Sequence, residues 1–231
     1  MEQLLLHIYY AVQKRLFPQI DQDAFNALID NGKILEFDHR GVKVVETEDR
    51  DIVKTFRLKQ TYSSALICPY AWRFKNNARL LRKKGIETVN VKKVEYCFSE
   101  QRHIVTYEKI EGQTIRELLT KNSKDEDLIK KLIEFVARLH ANGIYFRSLH
   151  FGNIVVTNNG EMALIDIADL SVYPWPLTVN LRIRNWRHLL KYPFEKSFVT
   201  HFGAEHFYDR YAENALLSLG QREKLKKALI K

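Results

Sequence analysis

The stretch that decides the fold of this chain is FRSLHFGN, residues 146–153. Within it, Asn153 stands five residues after Ser148. An Asn-Asn-Gly run at 158–160 comes next, and it predicts a tight hairpin because Asn-Gly pairs readily take up the positive φ that such turns need. Asp166 is then expected at the end of the returning strand. The functional interpretation depends on this order of polar loop, hairpin and acidic strand end.

The spacing matches the kinase loop H-R-D-x-x-x-x-N, in which Asp accepts the substrate hydroxyl proton and Asn holds magnesium. Arg147 and Asn153 occupy the positions that this pattern requires, while Phe146 and Ser148 replace its His and its Asp. Asp166 corresponds to the metal-binding Asp. Asn153 and Asp166 are therefore the candidate magnesium and nucleotide ligands, and Ser148 and Asp166 are candidate catalytic residues. The plainer alternatives are an Asn that bonds its own loop and an Asp that caps a turn.

Two weaker features stand earlier in the chain. Lys54, in Ile-Val-Lys, resembles the V-A-I-K strand whose Lys contacts the nucleotide phosphates, which makes it a further catalytic and nucleotide-binding candidate. A solvated lysine on a strand is the alternative. Glu108 and Ile110 stand where an inter-lobe hinge would bind adenine through backbone groups, so both are candidate nucleotide contacts.

The order of predicted elements indicates an α+β chain. Residues 1–30 are predicted as an N-terminal helical extension that is broken at Pro18. Residues 31–111 alternate like five strands with one helix, and residues 112–231 are mainly helical. This order predicts a protein-kinase-like, two-lobed fold with a five-stranded antiparallel N-lobe and a reduced helical C-lobe.

Two capping boxes mark predicted helix starts in the second half. Thr114 with Glu117, and Ser123 with Glu126, have the S/T-x-x-E spacing in which side chain and backbone bond reciprocally. The second helix carries an apolar stripe along one face, formed by Leu128, Leu132, Phe135, Val136 and Leu139.

Composition narrows the class of partner. The chain has 231 residues and a net charge of +9, which favours phosphate-rich partners, although a generally basic surface explains it equally well. Only two cysteines are present, and they have no disulfide or metal-ligand spacing, so a reducing cytoplasm is expected.

The apolar run within residues 4–10 is too short to span a bilayer. It predicts a packed helix or, with Lys14 and Arg15 following, a helix that contacts a membrane surface.

The motifs LHANGI (139–144) and LHFGNI (149–154) resemble those of aminoglycoside- and choline-kinase-like phosphotransferases. More specifically, residues 33–195 resemble the lipopolysaccharide kinase (Kdo/WaaP) family of bacteria. The resemblance implies an ATP- and magnesium-dependent kinase that phosphorylates a heptose or Kdo sugar of the lipopolysaccharide inner core. It also implies a cytoplasmic protein, peripheral on the inner face of the cytoplasmic membrane, with an anionic glycolipid or core oligosaccharide as partner and no specific nucleic acid.

Three departures from the kinase pattern support a different interpretation. Ser148 cannot act as a carboxylate base, Asn77 stands where the Glu that pairs with the strand Lys is expected, and Gly41 is the single glycine of the phosphate-loop region. His150 and Asp169 are the candidate substitute bases, with a loop-bonding histidine and a loop cap as their alternatives. The competing functions are a pseudokinase, which binds nucleotide as a regulatory or scaffold protein, and a basic surface-binding module.

A basic, aromatic segment begins near residue 181. Its charged residues either cradle phosphates or form the solvated face of a helix. They are Arg182, Arg184, Arg187, His188, Lys191 and Lys196.

Overall fold

The computed structural model describes residues 2–58, 65–123 and 125–230 and divides the chain into two compact units. The first unit runs up to Arg79 and includes Val89–Lys109. The second contains Leu80–Thr88 and continues from Ile110. The chain is of mixed α+β class, and the boundaries predicted at residues 31 and 112 stay predictions.

The first unit is built on one sheet, whose strands are β1 (Gln19–Ile20), β2 (Lys33–Asp38), β3 (Gly41–Glu46), β4 (Asp51–Phe56), β6 (Val91–Cys97) and β7 (Arg102–Glu108). Their order in the sheet is β1-β6-β7-β4-β3-β2. Five of these strands run antiparallel to their neighbours, and the two-residue β1 joins the edge in parallel, opposite Tyr96 and Cys97. The helices are α1 (Glu2–Leu16), α2 (Gln22–Asp30) and α3 (Tyr70–Lys83), whose last residues belong to the second unit.

The N-terminal segment is joined to this sheet. Pro18 comes just after the end of α1, and its carbonyl accepts the Tyr96 backbone N–H at 2.8 Å, so the chain enters β1 before α2 begins. Asp21 caps α2 by accepting the Ala24 N–H. Phe25 of α2 then packs into a core of strand residues formed by Val45, Val53, Cys97 and Ile104.

The second unit combines short strands with six helices in its described residues. The strands are β5 (Glu87–Thr88), β8 (Gly112–Thr114), β9 (Ile144–Phe146), β10 (Ile154–Thr157), β11 (Met162–Leu164) and β12 (Leu170–Val172). One sheet has the order β5-β11-β10-β8, and β9 pairs with β12 separately. The helices are α4 (Ile115–Lys121), α5 (Glu126–Ala141), α6 (Val179–Leu189), α7 (Pro193–Phe202), α8 (Ala204–Asn214) and α9 (Leu219–Leu229).

One of the two predicted capping boxes is confirmed. Thr114 and Glu117 bond reciprocally at the start of α4. The box predicted for Ser123 and Glu126 is wrong, because α5 begins at Glu126 and its cap is Asp125, which accepts the Leu128 N–H at 2.9 Å. Asp125 is itself a strong capping residue, and it stands one position before the helix.

The apolar stripe of α5 forms the centre of the second unit. Its side chains are buried as the periodicity predicts, and aromatic residues of α8 surround Trp186 of α6 with edge-on ring contacts. No helix within the described part of the chain has the length and apolarity needed to cross a bilayer.

Candidate active site

Two kinds of contact at Phe146 hold the start of the loop 147–153: pairing with a neighbouring strand and hydrogen bonds with a distant side chain. This residue is fully buried in β9 and stands opposite Leu170 of β12. The buried side chain of Asn185, on α6, donates to the Phe146 carbonyl at 2.6 Å and accepts from its N–H at 3.3 Å. Phe146 is therefore a core residue with its backbone fixed by a side chain 39 positions away, which positions the start of the loop.

Ser148 and Asn153 are brought together by the fold of the loop. The Asn153 side chain donates through Nδ2 to the Ser148 carbonyl at 2.9 Å. The Asn153 carbonyl in turn accepts the N–H of Ile165 at 3.1 Å, immediately before Asp166. The loop and the turn after β11 are thus bonded to each other, and Asn153 and Asp166 lie on neighbouring segments.

Asp166 has a left-handed backbone, with φ 52° and ψ 46°. Only glycine, Asn and Asp adopt this region at moderate cost, so its presence at a candidate functional position is informative. A short 3-10 helix, Ile167–Asp169, comes next. The Asp166 carboxylate is close enough to act electrostatically on its neighbours, and its charge adds to the burial that raises the pKa of Asp169.

Ser148 also contacts Asp169 directly. Its Oγ donates to Asp169 Oδ2 at 2.5 Å. Burial is the main reason that the pKa of Asp169 is raised, and the Ser148 hydrogen bond opposes this effect. Asp169 Oδ1 is shielded from solvent and has no hydrogen-bond partner among the described residues.

His150 bonds the loop backbone, as its plainer interpretation expects. Its Nδ1 accepts the Gly152 N–H at 3.1 Å, and its ring packs against Tyr192 at 4.6 Å between centroids. Burial lowers the pKa of His150, and the Arg116 guanidinium lowers it further. The acceptor nitrogen is therefore engaged in the loop and is not directed at a substrate.

A buried carboxylate on α7 holds the middle of the loop. Glu195 is 0 % exposed, and its Oε1 accepts both the Phe151 N–H at 2.9 Å and the Arg116 guanidinium at 2.5 Å. Arg116 lies on α4, so this ion pair connects two helices with the loop. Because a charged acceptor makes a strong hydrogen bond, Glu195 fixes the backbone beside Gly152 and Asn153.

The donor set fits a hard cation. Asn153 Nδ2 is committed to the Ser148 carbonyl, which leaves Oδ1 as the atom that can serve as a ligand. Burial and then the Asp166 charge raise the pKa of Asp169, and a cation nearby relieves such repulsion. Oxygen ligands of this kind suit magnesium. Across residues 2–58, 65–123 and 125–230, however, no group of three or more His, Cys, Asp or Glu is arranged to hold a metal.

The other predicted residues lie in the first unit or at the start of the second. Lys54 is half-buried in β4, opposite Val44 and Val105, with its ammonium 5.7 Å from the Phe56 ring centroid.

Glu108 ends β7, and its N–H donates to the Asn90 carbonyl at 3.1 Å, so that donor is already used. Ile110 is half-buried. Asn77 is buried in α3, and Gly41 has φ +109° between β2 and β3.

The basic segment divides into internal and exposed residues. Arg182 is buried, and its Nε donates to the Leu177 carbonyl at 2.8 Å, so the prediction that it belongs to a surface cluster is wrong. Its guanidinium also bonds the Tyr211 hydroxyl, which explains its place inside the unit. The exposed cations of this segment are Arg184, Arg187, Lys191 and Lys196.

No protein-family profile matches the chain, and no curated protein matches it. Two solved structures of WbdD are similar to it. One, a co-crystal structure with the kinase inhibitor LY294002, has 17% identity and a TM-score of 0.46, and the match covers 80% of this chain and 43% of that one. The other, of the bifunctional kinase-methyltransferase WbdD, has 15% identity and a TM-score of 0.46, covering 81% and 47%. The chain spans less than half the length of either.

Proposed function

We propose that this chain is an ATP-dependent kinase of protein-kinase-like fold that phosphorylates a heptose or Kdo sugar of the lipopolysaccharide inner core. One observation carries the proposal. Asn153 bonds the Ser148 carbonyl with its side chain and Ile165 with its backbone, so the loop and the Asp166 turn are connected. The two predicted magnesium ligands then lie on adjacent segments, which supports the assignment of a shared metal site to them.

The roles follow from these positions. Asn153 Oδ1 and the Asp166 carboxylate would hold magnesium, which when bound neutralises charge on the nucleotide phosphates. Lys54 is the proposed phosphate contact, and Glu108 and Ile110 are the proposed backbone contacts to adenine. Since the Glu108 N–H is used by Asn90, Glu108 would contribute its carbonyl. Ser148 occupies the position next to the reacting hydroxyl.

Two observations support a sugar acceptor of this kind. The loop motifs resemble those of lipopolysaccharide kinases, and the chain carries a positive net charge. The net charge of +9 suits an anionic glycolipid. In addition, α1 exposes Leu4, Ile8, Val12 and Leu16 at a spacing of four residues, next to Lys14 and Arg15. We propose that this apolar stripe contacts the inner face of the cytoplasmic membrane, where such an acceptor is anchored.

The second candidate function is a pseudokinase that binds nucleotide as a regulatory or scaffold protein in envelope biogenesis. Ser148 favours it, because a hydroxyl supplies no carboxylate base, and so does the amide at Asn77. Both candidates predict nucleotide binding, and only the first predicts phosphate transfer.

Two measurements on the wild-type chain separate the candidates. Magnesium-ATP should raise the thermal midpoint, because a ligand that binds only the folded state stabilises it. Radiolabelled phosphate should then pass from ATP to purified, deacylated core oligosaccharide. A thermal shift without transfer supports the pseudokinase, and the absence of any shift at millimolar nucleotide contradicts both candidates.

A further inference from the structure

The pair formed by Ser148 and Asp169 is fixed by the backbone around it. Phe146 of β9 stands opposite Leu170 of β12, so the register of the two strands brings the residues beside them together. Ser148 follows Phe146 by two positions, and Asp169 directly precedes Leu170. The Ser148 carbonyl is held by Asn153 as well, so its hydroxyl is positioned from both sides. The resulting hydrogen bond from Oγ to Oδ2 measures 2.5 Å.

The second oxygen of Asp169 is unpaired within the described residues. Oδ1 is shielded from water and has no partner there, although a buried carboxylate oxygen left unpaired is costly. An unpaired, shielded carboxylate oxygen in a folded protein calls for an explanation, and a catalytic role is one of them.

The hydroxyl of Ser148 has acceptor capacity as well as a donated proton. A serine Oγ carries one hydrogen and two lone pairs, and here its hydrogen is committed to Asp169. Its lone pairs can therefore accept a proton from another hydroxyl. A serine in this position can therefore pass a proton on to the Asp169 carboxylate.

We propose that Asp169, acting through Ser148, is the proton acceptor of this site, an inference that rests on the phosphotransfer function proposed above. The acceptor hydroxyl oxygen forms a bond to the γ-phosphorus of ATP, and the bond from that phosphorus to the β,γ-bridging oxygen breaks, which releases ADP. The acceptor proton passes to Ser148 Oγ while the Ser148 proton passes to Asp169 Oδ2. The proton then leaves Asp169 for solvent, so no further reactant is consumed.

The deciding experiment removes the carboxylate at position 169 and introduces one at position 148. Asp169→Asn keeps the shape and removes the base, and it should lower the transfer rate from ATP to deacylated core oligosaccharide by about 10²–10⁴-fold. Adding Ser148→Asp to that variant should restore the rate by at least about tenfold, since a carboxylate then stands at the loop position itself. The thermal shift with magnesium-ATP should remain in both variants.

A second pair of variants tests the hydroxyl independently of Asp169. Ser148→Thr keeps an Oγ and should retain transfer within about tenfold, whereas Ser148→Ala removes the connecting hydroxyl and should lose more. The Ala loss should stay below that of Asp169→Asn, because a water in the vacated position can pass the proton to the carboxylate.

Two outcomes overturn the inference and leave the kinase proposal intact. An Asp169→Asn variant as fast as wild type does so. The second outcome is a slow Asp169→Asn variant that Ser148→Asp does not rescue and that no longer shows the magnesium-dependent thermal shift. Asp169 is then a metal ligand, and the inference is wrong. A wild-type chain that transfers no phosphate at all contradicts the proposed function itself, and the inference falls with it.

Discussion

The left-handed backbone of Asp166 is the most constrained feature of the candidate site at the scale of single residues. A non-glycine residue in this conformation costs about 1–2 kcal/mol, which the surrounding structure must supply. Here the surrounding structure is the bond from Ile165 to the Asn153 carbonyl on one side and the 3-10 helix that ends at Asp169 on the other. From this turn the Asp166 charge acts to raise the pKa of both His150 and Asp169.

Asp166→Asn tests the metal assignment. The amide fits the same backbone conformation, but it is a poorer ligand for a hard cation than a carboxylate. We expect the thermal shift with ATP and magnesium to fall strongly, and the shift with ATP and EDTA to change little.

The matched control for this variant is Asp125→Asn, because Asn caps the start of α5 as well as Asp does. It should leave both shifts unchanged. Equal responses of Asp166→Asn in the two conditions would assign Asp166 a structural role.

Local spacing is the only information on the candidate site that the sequence carries. Asn153 and Asp166 are candidates because the lengths of the loop and the hairpin can be read along the chain, and their roles stay predictions. Asn185 and Glu195 were missed, since each bonds the loop across about forty residues and no local pattern marks that contact. Asp169 was named as one of two substitutes for the base, yet its bond to Ser148 depends on the register of β9 with β12, which spacing does not reveal.

At the scale of elements, α7 is attached to the loop by one buried charge. Glu195→Ala removes the acceptor of the Phe151 N–H and leaves Arg116 unpaired. Breaking a buried ion pair costs about 3–5 kcal/mol, but the Arg116 side chain is 38% exposed and can be solvated. We therefore expect a loss of about 2–3 kcal/mol in urea unfolding, together with slower phosphate transfer.

Glu205→Ala is the control, because Glu205 is exposed on the neighbouring helix α8. Its change should stay within about 0.5 kcal/mol. If Glu195→Ala leaves both stability and transfer at the wild-type level, the ion pair does not hold the loop.

Long elements were predicted better than short ones. The stripe of α5, the Thr114 cap and the hairpin between β10 and β11 follow from local periodicity and turn chemistry. The strands β1, β5, β8, β9 and β12 were missed because each has only two or three residues, too few to show alternation. They form because each pairs with a strand that is distant in sequence, and no local pattern indicates such pairing.

At the scale of the whole molecule, each unit buries a neutral histidine. Burial lowers the pKa of His103, in the first unit, to about 4, and that of His140, in the second, to about 3. In the unfolded chain both have a pKa of about 6.5. The unfolded state therefore binds more protons below that pH, so the free energy of unfolding falls as the pH is lowered and levels off only below the folded-state pKa values.

Between pH 7 and pH 5 we expect each of these histidines to remove about 2 kcal/mol from the unfolding free energy. Urea unfolding at the two pH values measures the difference. His140→Gln should reduce the pH dependence, whereas His7→Gln, at an exposed position of α1, should not. An unchanged pH dependence in His140→Gln would show that His140 is not the group responsible.

The charge and the exposed stripe of α1 predict binding to an anionic surface. Vesicles that contain phosphatidylglycerol should bind the chain at low salt and release most of it at about 0.5 M salt, where screening shortens the reach of the charges. Changing Leu4 and Ile8 to Ser should weaken the binding by removing apolar contact area.

Leu216 and Leu219 provide a matched control, since both are exposed leucines far along the chain from α1. Their change to Ser should leave vesicle binding as it is. Binding that ignores salt, or that both pairs of substitutions weaken equally, would contradict a specific role for α1.

The chain passes between the two units more than once, because Leu80–Thr88 belongs to the second unit while the residues on both sides belong to the first. A single proteolytic cut near residue 110 therefore cannot yield a complete second unit. Such a fragment would lack β5, whose strand pairs with Ala163 and Leu164 and whose Thr88 hydroxyl donates to the Leu164 carbonyl. The edge of β11 would be left as an open template for another copy, so dissection at the change in composition near residue 112 should produce aggregation-prone material.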